Sequence, residues 1–94
     1  MTHADTVIVG AGAAGSVIAA RMTEDGAHDV LLLEAGPDYP PGTRLPADLV
    51  DGTRNSTRAH DWGYAMTPTP RASSMDFPRG RVVGGSSAVN TCIA

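Results

Sequence analysis

Residues 6–15, Thr6-Val-Ile-Val-Gly-Ala-Gly-Ala-Ala-Gly15, and residues 30–36, Val30-Leu-Leu-Leu-Glu-Ala-Gly36, decide the reading of this 94-residue chain. Val7, Ile8 and Val9 form a short β-branched run, the pattern of a strand buried on both faces of a parallel sheet. Gly10, Gly12 and Gly15 follow with the spacing Gly-x-Gly-x-x-Gly, where that strand should turn into a helix. Gly10 permits the tight turn, Gly12 lets the backbone approach a pyrophosphate, and Gly15 lets the helix pack closely on the strand. The helix N-terminus would present unpaired N–H groups and the positive end of its dipole to that anion. A second parallel strand is expected over residues 30–33, ended by Glu34. Its carboxylate can accept hydrogen bonds from the hydroxyls of an adenosine ribose, and it would repel a 2′-phosphate. A bare glycine triplet also suits a tight βα turn that holds no ligand. The preceding strand, the following helix and an acid about 20 residues on favour a dinucleotide site.

A doubly wound sheet alternates strands and helices along its whole length, and only two convincing strands of that kind are present. The expectation is an α/β fold that is incomplete as a folding unit, either a fragment or one chain of a split protein. A small autonomous domain is the alternative. The formal net charge is -3 with no basic stretch, which gives no sign of nucleic-acid binding. Cys92 is the single cysteine, so this chain holds no internal disulfide and no cysteine-rich metal site. His3, His28 and His60 are too scattered to suggest a ligand cluster. No apolar run approaches the length of a membrane span, and the N-terminus lacks a basic-then-apolar signal pattern. A cytoplasmic chain without membrane contact is the expectation.

From Ala13 the pattern becomes helical, with Ala14, Ile18 and Met22 recurring at helical spacing and Asp25-Gly26 as the stop. Beyond Gly36 the character changes: all seven prolines fall between Pro37 and Pro78. Residues 37–44 read as an extended loop, and residues 45–50 as at most one helical turn. Residues 53–60 look polar and exposed, and residues 67–74 look loop-like. Asp61-Trp62-Gly63-Tyr64 holds the only tryptophan. It suits either a wall beside a ligand or, more simply, an anchor that pins a long loop to the body.

Arg79-Gly-Arg-Val-Val-Gly-Gly-Ser-Ser-Ala-Val-Asn90 is the second glycine-rich stretch. Gly84-Gly85 removes side chains where backbone would pass close to a ligand. Ser86 and Ser87 can cap a following helix, freeing N–H groups for a second anion. An ordinary turn followed by a capped helix accounts for the same composition.

Residues 81–90, Arg81-Val-Val-Gly-Gly-Ser-Ser-Ala-Val-Asn90, resemble the flavin-binding signature of the glucose–methanol–choline oxidoreductases. Val7-Ile-Val-Gly-Ala-Gly-Ala-Ala-Gly15, Leu33-Glu-Ala-Gly36 and Asp61-Trp-Gly-Tyr64 occur in the order used by that family. Asn90-Thr-Cys-Ile-Ala94 is most similar to its choline oxidase and choline dehydrogenase branch. The resemblance covers nearly the whole chain but only the start of a family member. It implies a partial Rossmann-like FAD-binding domain over residues 1–94: a βαβ unit, a long loop and a second glycine-rich cofactor segment, with no substrate domain.

The resemblance also implies the site. Gly10, Gly12, Ala13, Ala14 and Gly15 would take the pyrophosphate, and Glu34 with Ala35 the adenosine ribose. Trp62, Arg81, Val83, Gly84, Gly85 and Ser86 would lie along the cofactor, while Asn90, Thr91, Cys92 and Ile93 would approach the isoalloxazine ring. Some members carry a flavin-bonding histidine immediately before this asparagine. Here that position is Val89, so dissociable FAD is expected. Cys92 reads as a buried small apolar residue.

The family oxidises small-molecule alcohols by hydride transfer to the flavin, with a catalytic histidine from its C-terminal region. No residue here matches that base, and the chain alone is expected to be inactive. A second polypeptide would supply the base. Two other readings are an NAD-binding module, which the first glycine fingerprint and Glu34 would serve equally well, and a non-catalytic remnant that binds a partner through its exposed strands.

Overall fold

β1 (Thr6–Val9) and β2 (Val30–Leu33) pair in parallel, with Thr6 opposite Val30 and Val9 opposite Leu33. Between them runs α1 (Ala13–Met22), which completes a βαβ unit in this computed structural model, described over residues 3–92. Asp5 closes the entrance to the pair: its N–H donates to the Asp29 carbonyl, and its carboxylate accepts the Asp29 N–H. At the exit the Gly10 N–H donates to the Leu33 carbonyl at 2.7 Å.

α1 ends at Met22, four residues before Gly26 and short of the expected Asp25-Gly26 stop. The Thr23 hydroxyl donates to the Ala19 carbonyl and caps the last turn, and Gly26 takes a left-handed φ of 67° in the turn that follows. Gly15 has no room for a side chain, since a Cβ there would lie 1.9 Å from the Gly10 carbonyl oxygen. That close approach brings α1 down onto β1.

The long proline-containing region is organised by hydrogen bonds rather than by regular structure. One helical turn, α2 (Ala47–Val50), matches the expected single turn. Two strands that the sequence did not suggest, β3 (Ala65–Met66) and β4 (Met75–Asp76), form a two-residue antiparallel ladder around residues 67–74. Strands so short carry almost no periodicity to read. Asp61 makes an antiparallel bridge with Gly80, so the chain before β3 runs beside the chain after β4.

Ala11, Val82 and Val89 are the only buried hydrophobic residues described, while Val7, Val9, Val17 and Ile18 are all exposed. The radius of gyration is 16.1 Å, against about 12–13 Å for a closed domain of this length. The two-stranded sheet therefore offers apolar faces that nothing in residues 3–92 covers, in keeping with the expected incompleteness. Two expectations fail on burial. Ser56 and His60 are buried rather than exposed, and Cys92 is exposed rather than buried. Among the described residues no helix is long and apolar enough to cross a membrane.

Candidate dinucleotide site

Both glycine segments arrive at the C-terminal ends of β1 and β2, where parallel α/β sheets bind ligands. The first turn begins at Gly10, whose φ of 97° a side chain would disfavour. Gly12 then occupies the N-cap of α1 without any side-chain cap, and no acidic residue lies in the first helical turn. The orphan N–H groups of this ten-residue helix are left for an outside acceptor, and an anion fits there.

The second turn is bound to the first. The Gly84 N–H donates to the Ala11 carbonyl at 2.7 Å, and the Val83 N–H donates to the Pro37 carbonyl at 3.1 Å. Gly84 and Gly85 both have positive φ, 100° and 62°. A Cβ on Gly85 would sit 2.8 Å from the Gly12 Cα. Gly36 explains the rest of the Glu-Ala-Gly motif, because a Cβ there would lie 2.0 Å from the Arg81 carbonyl oxygen. The glycines after β1, after β2 and in the 80–86 stretch thus pack backbone against backbone.

Glu34 ties the same region together. Its two carboxylate oxygens accept the Ala11 and Gly36 N–H groups, each at 2.9 Å. Each oxygen keeps a further lone pair for a ligand hydroxyl. An open cleft of about 580 Å³ lies over this junction, lined by Val9, Gly10, Gly12, Leu33, Glu34, Ala35, Trp62, Arg79, Gly80, Gly85 and Ser86.

Seven of the residues expected from sequence line that cleft: Gly10, Gly12, Glu34, Ala35, Trp62, Gly85 and Ser86. Gly15 faces the Gly10 carbonyl instead. Ala13 and Ala14 open α1 without lining the cleft. Arg81 is exposed and holds its guanidinium 5.8 Å from the Trp62 ring centroid, while Val83 and Gly84 sit on the turn outside the lining. Asn90, Thr91 and Cys92 lie over the turn at residues 51–55: Asn55 accepts the Thr91 N–H and hydroxyl, and the Cys92 N–H donates to the Gly52 carbonyl. Ile93 lies outside the described residues.

Val9, Leu33, Arg79 and Gly80 join the lining although none belongs to the expected cofactor-binding set. The two strand-end residues were findable from the crevice rule for parallel sheets. Arg79 and Gly80 enter only through the pairing with Asp61 and Trp62, which no local pattern announces. Ser86 and Ser87 do not act as helix caps. Gly84 is the N-cap of a four-residue 3₁₀ turn, Gly85–Ala88, Ser86 accepts the Gly80 N–H, and Ser87 donates back to the Gly84 carbonyl.

Of the two readings of Trp62, its place in the cleft lining favours the wall over the loop anchor. The residue is exposed, stacked on Tyr64 with ring centroids 6.1 Å apart and planes 3° from parallel. Among the described residues no group of three or more His, Cys, Asp or Glu could hold a metal ion.

The family described as "NAD(P)-binding Rossmann-like domain" matches residues 8–77. Over 91 residues the chain is 43% identical to an oxygen-dependent choline dehydrogenase of Rhizobium etli, covering 94% of this chain and 16% of that protein. Pyridoxine 4-oxidase from Mesorbium loti superimposes with a TM-score of 0.76 at 35% identity, covering 95% of this chain and 18% of that one. An Aspergillus oryzae formate oxidase variant, studied for its effect on FAD modification, superimposes at 0.73 and 33% identity, covering 95% of this chain and 16% of that one. The chain thus spans about one sixth of the length of these relatives.

Proposed function

This chain belongs to the NAD(P)-binding Rossmann-like domain family and corresponds to the N-terminal cofactor-binding region of the glucose–methanol–choline oxidoreductases, on their choline dehydrogenase branch; from that premise we propose that it holds FAD non-covalently for oxidation of a small-molecule alcohol. The observation that carries the reading is the meeting of the two glycine turns, Gly12 against Gly85, at one cleft floored by Glu34. A simple NAD module requires the first turn and the acid. It gives no reason for a second glycine turn to be packed on the first.

Within this proposal the uncapped N-terminus of α1 holds the pyrophosphate, and the free lone pairs of Glu34 take the adenosine ribose. Trp62 and Arg79 wall the same cleft. Asn90, Thr91 and Cys92, held over residues 51–55, would approach the flavin ring end of the bound cofactor. Bound FAD supplies the hydride acceptor. The base that takes the alcohol proton comes from polypeptide outside this chain, and we place the assembled enzyme in the cytoplasm. Val89 is buried and offers no nucleophile, which supports a dissociable cofactor.

Two measurements test this. A native mass spectrum should show this chain with FAD and the remaining polypeptide, and acid precipitation should leave the flavin in the supernatant. Flavin pelleting with the protein would refute non-covalent binding. A folded chain that takes NAD and not FAD would establish the module reading.

A further inference from the structure

A cluster away from the cleft has no place in the function described so far. His60 is 3% exposed. Its Nδ1 lies 2.5 Å from Asp48 Oδ2, and its Nε2 lies 2.8 Å from the Tyr39 hydroxyl. Ser56, also buried, donates its hydroxyl to the same Asp48 oxygen at 2.7 Å. An ionised carboxylate only accepts, so Nδ1 carries the proton, and in the neutral ring Nε2 accepts from Tyr39. One imidazole thereby joins three separate pieces of the proline-containing region: the loop after β2, the helical turn α2 and the segment before β3.

The backbone of the same residue leads to the cleft. The His60 carbonyl accepts the Arg81 N–H at 2.9 Å, and two residues on the Trp62 N–H donates to the Arg79 carbonyl at 3.0 Å. Between them Asp61 bridges Gly80 and accepts the Arg79 N–H. Gly80 in turn packs on Gly85, since a Cβ on Gly80 would lie 2.4 Å from the Gly85 carbonyl oxygen. A slip of the 60–62 segment along 79–81 would move Trp62 and the second glycine turn together.

We propose that the Tyr39–His60–Asp48 cluster, centred on the buried His60, is a positioning device for the cofactor cleft, fixing the register of residues 60–62 against 79–81. His60 touches no ligand in this role. It acts through the backbone that carries Trp62 and Gly80 to the cleft. The link to cofactor affinity rests on the FAD reading above, whereas the register itself does not.

The test compares Tyr39→Phe and Asp48→Asn, which keep the ring and the packing, with His60→Ala and His60→Asn in the full chain. An asparagine amide reproduces the Nδ1 donor but not the Nε2 acceptor. Expected are folded Tyr39→Phe and Asp48→Asn proteins whose Trp62 and Arg81 amides exchange hydrogen about tenfold faster than wild type. Their FAD dissociation constant should rise by a similar factor with an altered flavin circular dichroism spectrum, and His60→Asn should recover part of what His60→Ala loses. Wild-type exchange at both amides, wild-type flavin spectra with only a lower melting temperature, or failure of both conservative variants to fold would each overturn the proposal. If His60→Ala does not fold, the two outer variants decide. If the wild-type chain takes no FAD, the cofactor reading fails and amide exchange still decides the register.

Discussion

Gly85 and Gly12 meet so closely that a Cβ on Gly85 would lie 2.8 Å from the Gly12 Cα, whereas a Cβ on Gly12 would meet Gly85 at an ordinary 3.8 Å. The contact is asymmetric, and the asymmetry separates folding from binding. Gly12 has φ -78° and ψ -169°, a conformation alanine adopts freely. Gly12→Ala should therefore melt within about 1 kcal/mol of wild type while, under the proposed FAD reading, binding FAD at least about tenfold more weakly, because the added methyl group would stand where the pyrophosphate is expected to approach. Calorimetry beside a flavin titration checks both halves.

Gly85→Ala should behave differently. It combines the backbone clash with a φ of 62°, and strain of this kind costs about 1–3 kcal/mol. Loss of stability and loss of flavin should appear together, read by thermal unfolding of the apo and FAD-loaded protein.

Glu34→Ala should cost more than a ribose contact. It leaves the part-buried N–H groups of Ala11 and Gly36 without their acceptor, at about 1–3 kcal/mol for each donor left unpaired. Urea unfolding of the apo protein should expose this loss with no flavin present. An apo stability equal to wild type would show that Glu34 acts only on the ligand.

Acid should weaken the proline-containing region at Asp48. Hydrogen bonds from His60, then from Ser56, hold its carboxyl below the ordinary 3.8. A carboxyl whose folded value is depressed contributes its full stability above the unfolded value, and that contribution disappears as pH falls through the folded value. Wild type should thus lose stability as pH falls below about 4, and the slope in that window should be shallower in Asp48→Asn. Asp51, held low by the Thr53 hydroxyl and N–H and by Arg54, titrates in the same direction at the surface. Asp51→Asn serves as the control for surface charge.

Elements whose cause is local were legible in the sequence. β1, α1 and β2 follow from a β-branched run, a helical period and a glycine triplet; the strands keep the expected bounds to within a residue, whereas α1 ends at Met22, three residues short of the expected stop at Asp25. The single turn α2 follows from proline restricting its neighbours. Gly10, Gly12 and Glu34 could be named because the turn, the uncapped helix start and the strand-end acid are properties of a few consecutive residues.

Tertiary structure decided what depends on distant partners. Gly36 must be glycine because the Arg81 carbonyl passes over it, 45 positions along the chain. Arg79 lines the cleft and Arg81 does not, because Asp61 and Trp62 pair with 79–80. His60, in a stretch that reads as polar and exposed, is buried because Tyr39 and Asp48 satisfy both ring nitrogens. Burying a polar group is favourable only when its hydrogen bonds are made. Composition can list the donors and acceptors, but only the folded chain determines which of them meet.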